Sequence, residues 1–294
     1  RLTKQEHSVR GGMGMLCASA IESVRLLLNS RSSRHPEGIG NSTGLLGRYF
    51  LEQTPSLIAG SVPDSKGWEY DKTIIQDPFC RPAGGIVIPR FQNLGQDSQK
   101  NYLRGFAFQG VIGRGYVPPE SPAQFGLMGF GEMLPRAENR ITLNLRKKDA
   151  WGIPAPHIDC SFGANDLLVM KEQLRAIKEM VSVCNYNIDF AGTALGRNAM
   201  PNETLLMKTI FRLSFKKSVG LGAAIHESGG ARMGNDPENS VLNNYNQCWD
   251  ANNIFVTDGA CFVTSGTVGP TLTMMAITAR ACDYAATQYK KGQL

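Results

Sequence analysis

The chain has 294 residues, of which 42% are hydrophobic and 19% are charged, and it contains 32 glycines and 15 prolines. This length suffices for one large domain or two ordinary ones, and the composition excludes a disordered, collagen-like or coiled-coil protein. Because the net charge of +6 is spread along the chain and includes no run of five basic residues, a nucleic-acid partner is not predicted.

A strand followed by a helix is predicted near the N-terminal end. The apolar run at residues 13–18 is typical of a strand, and Ser19 and Glu22 have the spacing of a capping box. The helical face that follows consists of Ile21, Val24, Leu27 and Leu28. Residues 31–47 are rich in Ser, Gly and Asn, which favours a loop.

The middle of the chain predicts an antiparallel sheet with one helix packed on it. Short β segments lie at residues 85–88, 105–112, 126–133 and 140–145, and the turn at 135–139 joins the last two. An amphipathic helix follows Asn165, because apolar residues recur there at helical spacing. Its predicted buried face consists of Met170, Leu174, Ile177, Val181 and Cys184.

The C-terminal part predicts a strand, a polar loop and a helix. The strand at 253–257 ends at Asp258, and the helix begins after Pro270. The apolar residues assigned to this helix are Leu272, Met275, Ala276, Ala279 and Cys282. The longest uncharged stretch, 259–279, contains three glycines and a proline, so no membrane span is predicted.

The seven cysteines do not predict a disulfide framework or a zinc site. Their number is odd and no C-x-x-C pair occurs, so buried structural thiols are expected, with Cys17 and Cys282 in apolar runs. The turns at 12–14 and 220–222 have the form G-x-G but lack the third glycine of a dinucleotide-binding loop. No metal site is predicted.

His226 is the strongest candidate for a catalytic group. It precedes a glycine-rich segment that would let backbone approach a ligand, and Arg232 supplies a nearby positive charge. The imidazole could be a catalytic base, or a structural residue of the loop. His226 lacks the second histidine of H-E-x-x-H, which disfavours a zinc protease. The other three histidines lie in polar or proline-bearing loop sequence, and we expect them at the surface.

Asp258 is a second candidate, because it closes an apolar strand where α/β sheets place ligand-binding groups. Its carboxylate could hold a sugar hydroxyl, or it could cap the following turn, and the sequence leaves both open. The helix after Pro270 points its positive end toward the same crevice. Such an end suits an anion or a flavin ring that gains negative charge on reduction.

Several segments in this order and spacing resemble the glucose-methanol-choline (GMC) family of flavin-dependent oxidoreductases. The segments are HESGGARMG at 226–234, NIFVTDGA at 253–260 and PTLT at 270–273. Upstream, residues 16–28, 44–49 and 131–142 are also similar to family segments. Within the family, the sequence most resembles the gluconate and glucoside dehydrogenase-like branch.

The resemblance implies an FAD-dependent enzyme that oxidises the CH–OH group of an alcohol, sugar or sugar acid by hydride transfer to flavin N5. His226 matches the family's catalytic base. The second catalytic position, usually Asn or His, falls on Gly269, which has no side chain to donate a hydrogen bond. The implied FAD contacts are Ala18, Asp258, Gly259, Pro270 and Thr271. An electron-acceptor protein or a small subunit is a possible partner.

The resemblance also implies an incomplete Rossmann-like FAD-binding domain (α/β) with an antiparallel-sheet substrate domain (α+β). Residues 1–58 and 239–294 would form the two FAD-domain segments, and residues 59–238 the substrate domain. The family's N-terminal G-x-G-x-x-G loop is not in this sequence, and the chain starts with Arg1. A catalytically impaired or non-enzymatic GMC remnant is therefore the alternative. The sequence indicates no compartment.

Overall fold

The computed structural model describes residues 7–65, 84–95, 101–112, 120–194 and 220–294, and these contain nine strands and three α-helices. The strands are β1 (Gly14–Leu16), β2 (Gln53–Val62), β3 (Gly84–Ile88), β4 (Phe106–Ile112), β5 (Ala123–Glu132), β6 (Arg140–Lys148), β7 (Pro154–Asp159), β8 (Asn187–Thr193) and β9 (Ile254–Val256). The helices are α1 (Ala20–Asn29), α2 (Ala164–Val183) and α3 (Thr271–Lys290). The arrangement is mixed α/β with antiparallel sheets, which agrees with the antiparallel sheet expected for a substrate domain. The incomplete Rossmann-like domain stays a prediction.

The strand and helix predicted near the N-terminal end are present, and β1 pairs in parallel with β9. The predicted capping box is wrong. Ser19 has a φ of 84°, outside the extended region that an N-cap residue normally adopts, and its hydroxyl makes no capping hydrogen bond in the described chain. The carboxylate of Glu22 instead forms an ion pair with Arg25 at 3.0 Å.

A five-stranded antiparallel sheet has the order β3-β4-β5-β2-β8. The predicted β segments at 85–88, 105–112 and 126–133 are confirmed as β3, β4 and β5. The sequence analysis missed β2, which lies between β5 and β8 and contains Pro55. Proline normally argues against an interior strand. Within the described residues β2 pairs with β8 only from Ser56 onward, so Pro55 lies beside one partner strand.

The predicted strand at 140–145 is present as β6, but its predicted membership of this sheet is wrong. β6 pairs with β7 in a separate two-stranded ladder. In the turn before β6, the side-chain amide of Asn139 holds the chain to Ser161 by two hydrogen bonds. Its Oδ1 accepts from Ser161 N–H at 3.0 Å, and its Nδ2 donates to the Ser161 carbonyl oxygen at 3.1 Å. Ile141 then packs in the core beneath α1.

The helix predicted after Asn165 is α2, and it packs on the five-stranded sheet as expected. The buried residues Met170, Leu174, Ile177 and Val181 confirm its predicted face. The prediction that Cys184 belongs to that buried face is wrong. It is the C-cap residue and lies exposed, because the helix ends before the residue completes another turn against the sheet.

The helix predicted after Pro270 is α3, but the apolar face assigned to it is wrong. Leu272 and Met275 are 77% and 64% exposed, and the other assigned residues, Ala276, Ala279 and Cys282, are also exposed. The buried face of α3 instead contains Ala281 and Ala285, with Met274 and Ile277 packed against the core. Small and apolar residues occur all round this helix, so periodicity alone did not select the face.

The expectation of buried thiols holds for two of the six cysteines that the structure describes. Cys248 and Cys261 are buried, whereas Cys17 and Cys282 are exposed, contrary to the expectation from their apolar neighbours. The six described cysteines are unpaired. None of the helices within the described ranges is long and apolar enough to cross a membrane.

Two hydrophobic cores lie within the residues that the structure describes. The first lies around α1 and contains Val24, Phe50, Ile141 and Val256. The second lies between the five-stranded sheet and α2. The predicted boundary between residues 58 and 59 falls inside β2, and β6 supplies Ile141 to the first core although it belongs to the predicted 59–238 segment. The division into three segments stays a prediction.

Candidate active site

His226 lies half-buried beside the sheet, with its Nδ1 2.6 Å from the side-chain oxygen of Gln53. Its ring packs against Phe130 at 5.3 Å between ring centroids. Burial lowers the pKa of His226, and the charge of the adjacent Glu227 acts in the opposite direction. An imidazole with a lowered pKa is uncharged near neutral pH and can accept a proton.

Gln53 supports His226 from the first residue of β2, and sequence reasoning missed it. The side chain is fully buried, and its Nε2 lies 3.2, 3.1 and 2.9 Å from the carbonyl oxygens of Ser265, Gly266 and Val268. A buried glutamine at the start of an apolar strand is an unusual placement for a polar side chain. The burial is visible only in the structure, and because β2 was not predicted, the sequence offered no signal for Gln53.

Gly269 lies directly beside His226, so the structure brings the predicted catalytic pair together. A Cβ atom built on Gly269 would lie 3.7 Å from His226 Nε2 and 3.9 Å from Cε1. These are ordinary van der Waals distances, and the backbone at Gly269 does not have the positive φ that favours glycine. The position can therefore accept a Cβ atom, and a side chain there would begin beside His226 Nε2.

The loop that leads to His226 is anchored by Glu52, a second residue that sequence reasoning missed. Its carboxylate is 1% exposed and accepts a hydrogen bond of 2.6 Å from the backbone N–H of Gly222. Burial raises the pKa of Glu52 to about 7, although backbone hydrogen bonds from Gly222, Ile225 and Ala224 oppose that rise. The G-x-G turn at 220–222 thus binds a carboxylate of the protein itself.

The glycines after His226 allow close packing of protein backbone, and the predicted approach of backbone to a ligand stays a prediction. Gly229 has a φ of +78°, and a Cβ atom there would lie 2.2 Å from the carbonyl oxygen of Tyr49. At Gly259 a Cβ atom would lie 2.7 Å from the carbonyl oxygen of Glu227. Gly229 N–H donates to Gly259 O at 2.8 Å, which ties the His226 segment to the turn after β9.

Arg232 is engaged in packing. Its guanidinium stacks 3.7 Å from the ring centroid of Tyr49, and its Nε donates to the carbonyl oxygen of Asn239 at 2.9 Å. The predicted positive charge after His226 thus lies in a cation–π contact that holds this loop. In the part of the chain that the structure describes, no cluster of His, Cys, Asp and Glu could hold a metal ion.

Asp258 lies two residues after β9 and is linked through Ser23 to Ala18, which lies two residues after β1. Its Oδ1 accepts from Ala260 N–H at 2.9 Å, so the capping role is present. Its Oδ2 accepts a short hydrogen bond from Ser23, whose hydroxyl accepts from Ala18 N–H at 3.1 Å. Ser23 was missed by sequence reasoning, although a polar residue on the buried face of α1 was a signal.

Four of the predicted FAD contacts lie at the carboxyl ends of β1 and β9 or at the start of α3. Ala18 and Thr271 are exposed, Asp258 and Pro270 are buried, and no side chain among the described residues caps α3. The first backbone N–H groups of that helix are thus available to a group that carries negative charge. Gly259, the fifth, is buried against Glu227. The carboxyl edge of adjacent parallel strands is also where nucleotides bind in α/β sheets.

Comparisons with known proteins match this chain to a family and to curated relatives. Residues 135–278 match the family model described as GMC oxidoreductase. The chain is 29% identical to 2-methyl-1,2-propanediol dehydrogenase of Mycolicibacterium austroafricanum and 26% identical to the fructose dehydrogenase large subunit of Gluconobacter japonicus. Each alignment covers 98% of this chain and 50% of the relative. The chain thus spans about half the length of the curated relatives it matches.

A solved structure shares the fold. The formate oxidase of Aspergillus oryzae RIB40 superposes with a TM-score of 0.60 at 13% identity, over 95% of this chain and 55% of that chain. The matched region, residues 135–278, contains His226, Asp258 and Gly269. This region belongs to the GMC oxidoreductase family, which confirms the resemblance seen in the sequence motifs.

Proposed function

We propose that this chain supplies the catalytic base and part of the cofactor site of an FAD-dependent oxidoreductase that acts on the CH–OH group of a small alcohol, sugar or sugar acid. One observation carries the proposal. His226 is anchored at Nδ1 by Gln53, and its Nε2 faces position 269, the second catalytic position implied by the family resemblance. The dehydrogenase relatives support the same class of substrate.

The residues at the carboxyl edge of β1 and β9 fit a flavin nucleotide. We assign the cofactor contacts to Ala18, Asp258, Gly259, Pro270 and Thr271. The family resemblance implies these residues, and they lie after β1, after β9 or at the uncapped start of α3. When bound, FAD would supply the acceptor for the hydride that leaves the substrate carbon. Residues 1–58 and 239–294 would then belong to an FAD-binding domain of Rossmann-like fold, and residues 59–238 to the substrate domain.

In this reaction His226 accepts the proton of the substrate hydroxyl at Nε2. Burial keeps the imidazole uncharged before the proton arrives, and Phe130 limits the orientation of the ring. A positioned base of this kind contributes roughly 10²- to 10⁴-fold to the rate. Because the base and the acceptor must meet the same carbinol centre, the hydrogen bond that fixes His226 to Gln53 supports the reaction in addition to the basicity of the imidazole.

The glycine at position 269 favours a second candidate, a protein with impaired catalysis or with none. In the family the residue at this position assists at the substrate oxygen, and a single lost hydrogen-bond donor of that kind costs roughly 10²-fold or more. Gly269 leaves the substrate oxygen with His226 as its hydrogen-bonding side chain at this pair of positions. Slow turnover is thus the expected property of the wild-type protein.

The fructose dehydrogenase relative is named a large subunit, which supports a small subunit or an electron-acceptor protein as a partner of this protein.

The test of the function uses the full-length protein, purified and supplied with FAD. We expect stoichiometric flavin absorbance and slow dye-linked oxidation of a panel that includes 2-methyl-1,2-propanediol and fructose. Bound flavin without turnover of any alcohol or sugar would favour the non-enzymatic candidate, and absence of flavin would contradict the proposal.

A further inference from the structure

We propose that Gln53 is a positioning residue that holds neutral His226 as the Nδ1–H tautomer and so leaves Nε2 free to take the substrate proton. The inference rests on the proposed function and deepens it, because it assigns the atom at which the base acts and the residue that selects this atom. It is carried by the hydrogen bonds of one buried amide.

The orientation of the Gln53 amide is fixed by its surroundings. The three carbonyl oxygens of Ser265, Gly266 and Val268 lie 2.9 to 3.2 Å from its Nε2. Carbonyl oxygens only accept hydrogen bonds, so the atom that faces them is the NH₂ group of the amide. A flipped amide would point its oxygen at these three acceptors and leave buried groups unsatisfied, at about 1–3 kcal/mol each.

The oxygen of the same amide therefore faces His226. The distance of 2.6 Å from Gln53 Oε1 to His226 Nδ1 is a hydrogen bond, and an amide oxygen can only accept it. Nδ1 thus carries the proton. In neutral imidazole one nitrogen is a donor and the other an acceptor, so Nε2 has the free lone pair.

Nε2 is also the atom that faces the reaction space. It is the His226 atom closest to a Cβ atom built on Gly269, at 3.7 Å. Through its bonds to residues 265–268, Gln53 also holds the segment that ends at Gly269. The Gln53 side chain thus determines which His226 nitrogen accepts the proton and also holds the segment before Gly269 that lies opposite that nitrogen.

The mounting of Gln53 is rigid. Gln53 is opposite Glu132 in the register of β2 and β5, and the Glu132 carboxylate accepts a hydrogen bond from Thr264 just before the segment that Gln53 binds. Ser265 Oγ in turn donates to the carbonyl oxygen of Glu52 at 3.0 Å. Residues 264–268 are therefore held at several points by the start of β2, by Glu52 just before it and by the end of β5.

The direct test is ¹⁵N NMR of the full-length protein labelled at histidine, with the His226 signals assigned by their loss in His226→Ala. At a pH where the imidazole is neutral, we expect the shift of a protonated Nδ1 and an unprotonated Nε2. Protonation at Nε2 in the neutral form would overturn the proposal. This readout needs no turnover, so the proposal can hold even if the oxidoreductase function fails.

The second test replaces the amide and leaves its volume nearly unchanged. Gln53→Met is expected to convert His226 to a mixture of tautomers and to lower kcat roughly 10²-fold or more, by analogy with a tautomer-fixing residue lost from a catalytic triad, with little change in KM. The matched control is Gln173→Met. Gln173 is equally buried and bonds the neighbouring residue Thr54 from the opposite face of β2.

Gln173→Met is expected to lose a comparable buried hydrogen bond while the tautomer of His226 and kcat stay as in the wild type. Equal loss of kcat in both variants would show that Gln53 acts through stability alone and would overturn the proposal. If Gln53→Met does not fold, the NMR measurement on the wild-type protein decides by itself.

Discussion

His226 and Gly269 lie side by side, with Nε2 the atom of His226 closest to a Cβ atom built on Gly269. A Cβ atom on Gly269 would lie 3.7 Å from His226 Nε2, and no strained backbone conformation prevents its addition. The missing side chain is therefore a matter of residue identity at one position. This makes the pair a direct place to test the proposed oxidoreductase activity.

Gly269→Asn is expected to raise dye-linked oxidation of the best substrate roughly 10- to 100-fold, because the amide would add a hydrogen bond at the substrate oxygen. The measurement is kcat in the full-length flavin-loaded protein. Gly269→Ala serves as the control, since its methyl group fits at 3.7 Å but makes no hydrogen bond. If the alanine variant gained as much as the asparagine variant, the assignment of this position would be wrong.

His226→Ala is expected to lower kcat roughly 10²- to 10⁴-fold through loss of the proton acceptor. Bound flavin should remain, because His226 contacts Gln53 and Phe130 and is not among the assigned cofactor contacts. His157→Ala is the control, since His157 lies exposed on β7. Turnover of His226→Ala at the wild-type rate would exclude His226 as the base.

Ser23→Ala is expected to lower the free energy of unfolding by about 1–3 kcal/mol and to increase flavin loss. The substitution leaves Asp258 Oδ2 and Ala18 N–H without the hydroxyl that links them, and unpaired buried polar groups are costly. Denaturant unfolding and flavin retention on gel filtration measure the two effects. Ser182→Ala on the exposed side of α2 should change neither, and a Ser23→Ala protein with unchanged stability would contradict the linking role.

The raised pKa of Glu52 predicts that the free energy of unfolding depends on pH. Burial raises its pKa to about 7 from the usual 4.5, so between these values the folded protein binds more protons at Glu52 than the unfolded chain does. The free energy of unfolding should therefore fall as pH rises from about 4.5 to about 7, by about 3 kcal/mol in all at about 1.4 kcal/mol per pH unit.

Glu52→Gln keeps an oxygen that can accept from Gly222 N–H and removes the titration. We expect this variant to lose that part of the pH dependence and to be more stable than the wild type at pH 8. The exposed Glu238 provides the control, because Glu238→Gln should retain the wild-type pH profile. A Glu52→Gln profile parallel to the wild type in thermal unfolding would disprove the assignment.

The sequence determined the features that depend on local pattern. The strand before α1, the strands β3, β4 and β5, the amphipathic helix α2 and the strand–turn–helix around Asp258 all follow from periodicity and turn residues. The pair His226 and Gly269 was found from motifs that occur in a fixed order along the chain. Each motif is a short local segment, so it can be recognised without knowing the tertiary structure.

Only the tertiary structure decided which elements became neighbours. The alternation in β6 could not indicate that its partner is β7, and the pattern of α3 could not select its buried face. The two supports of the site, Gln53 beside His226 and Ser23 beside Asp258, join residues 173 and 235 positions apart. Such hydrogen bonds exist only once packing has removed water from both partners, so no local pattern in the chain predicts them.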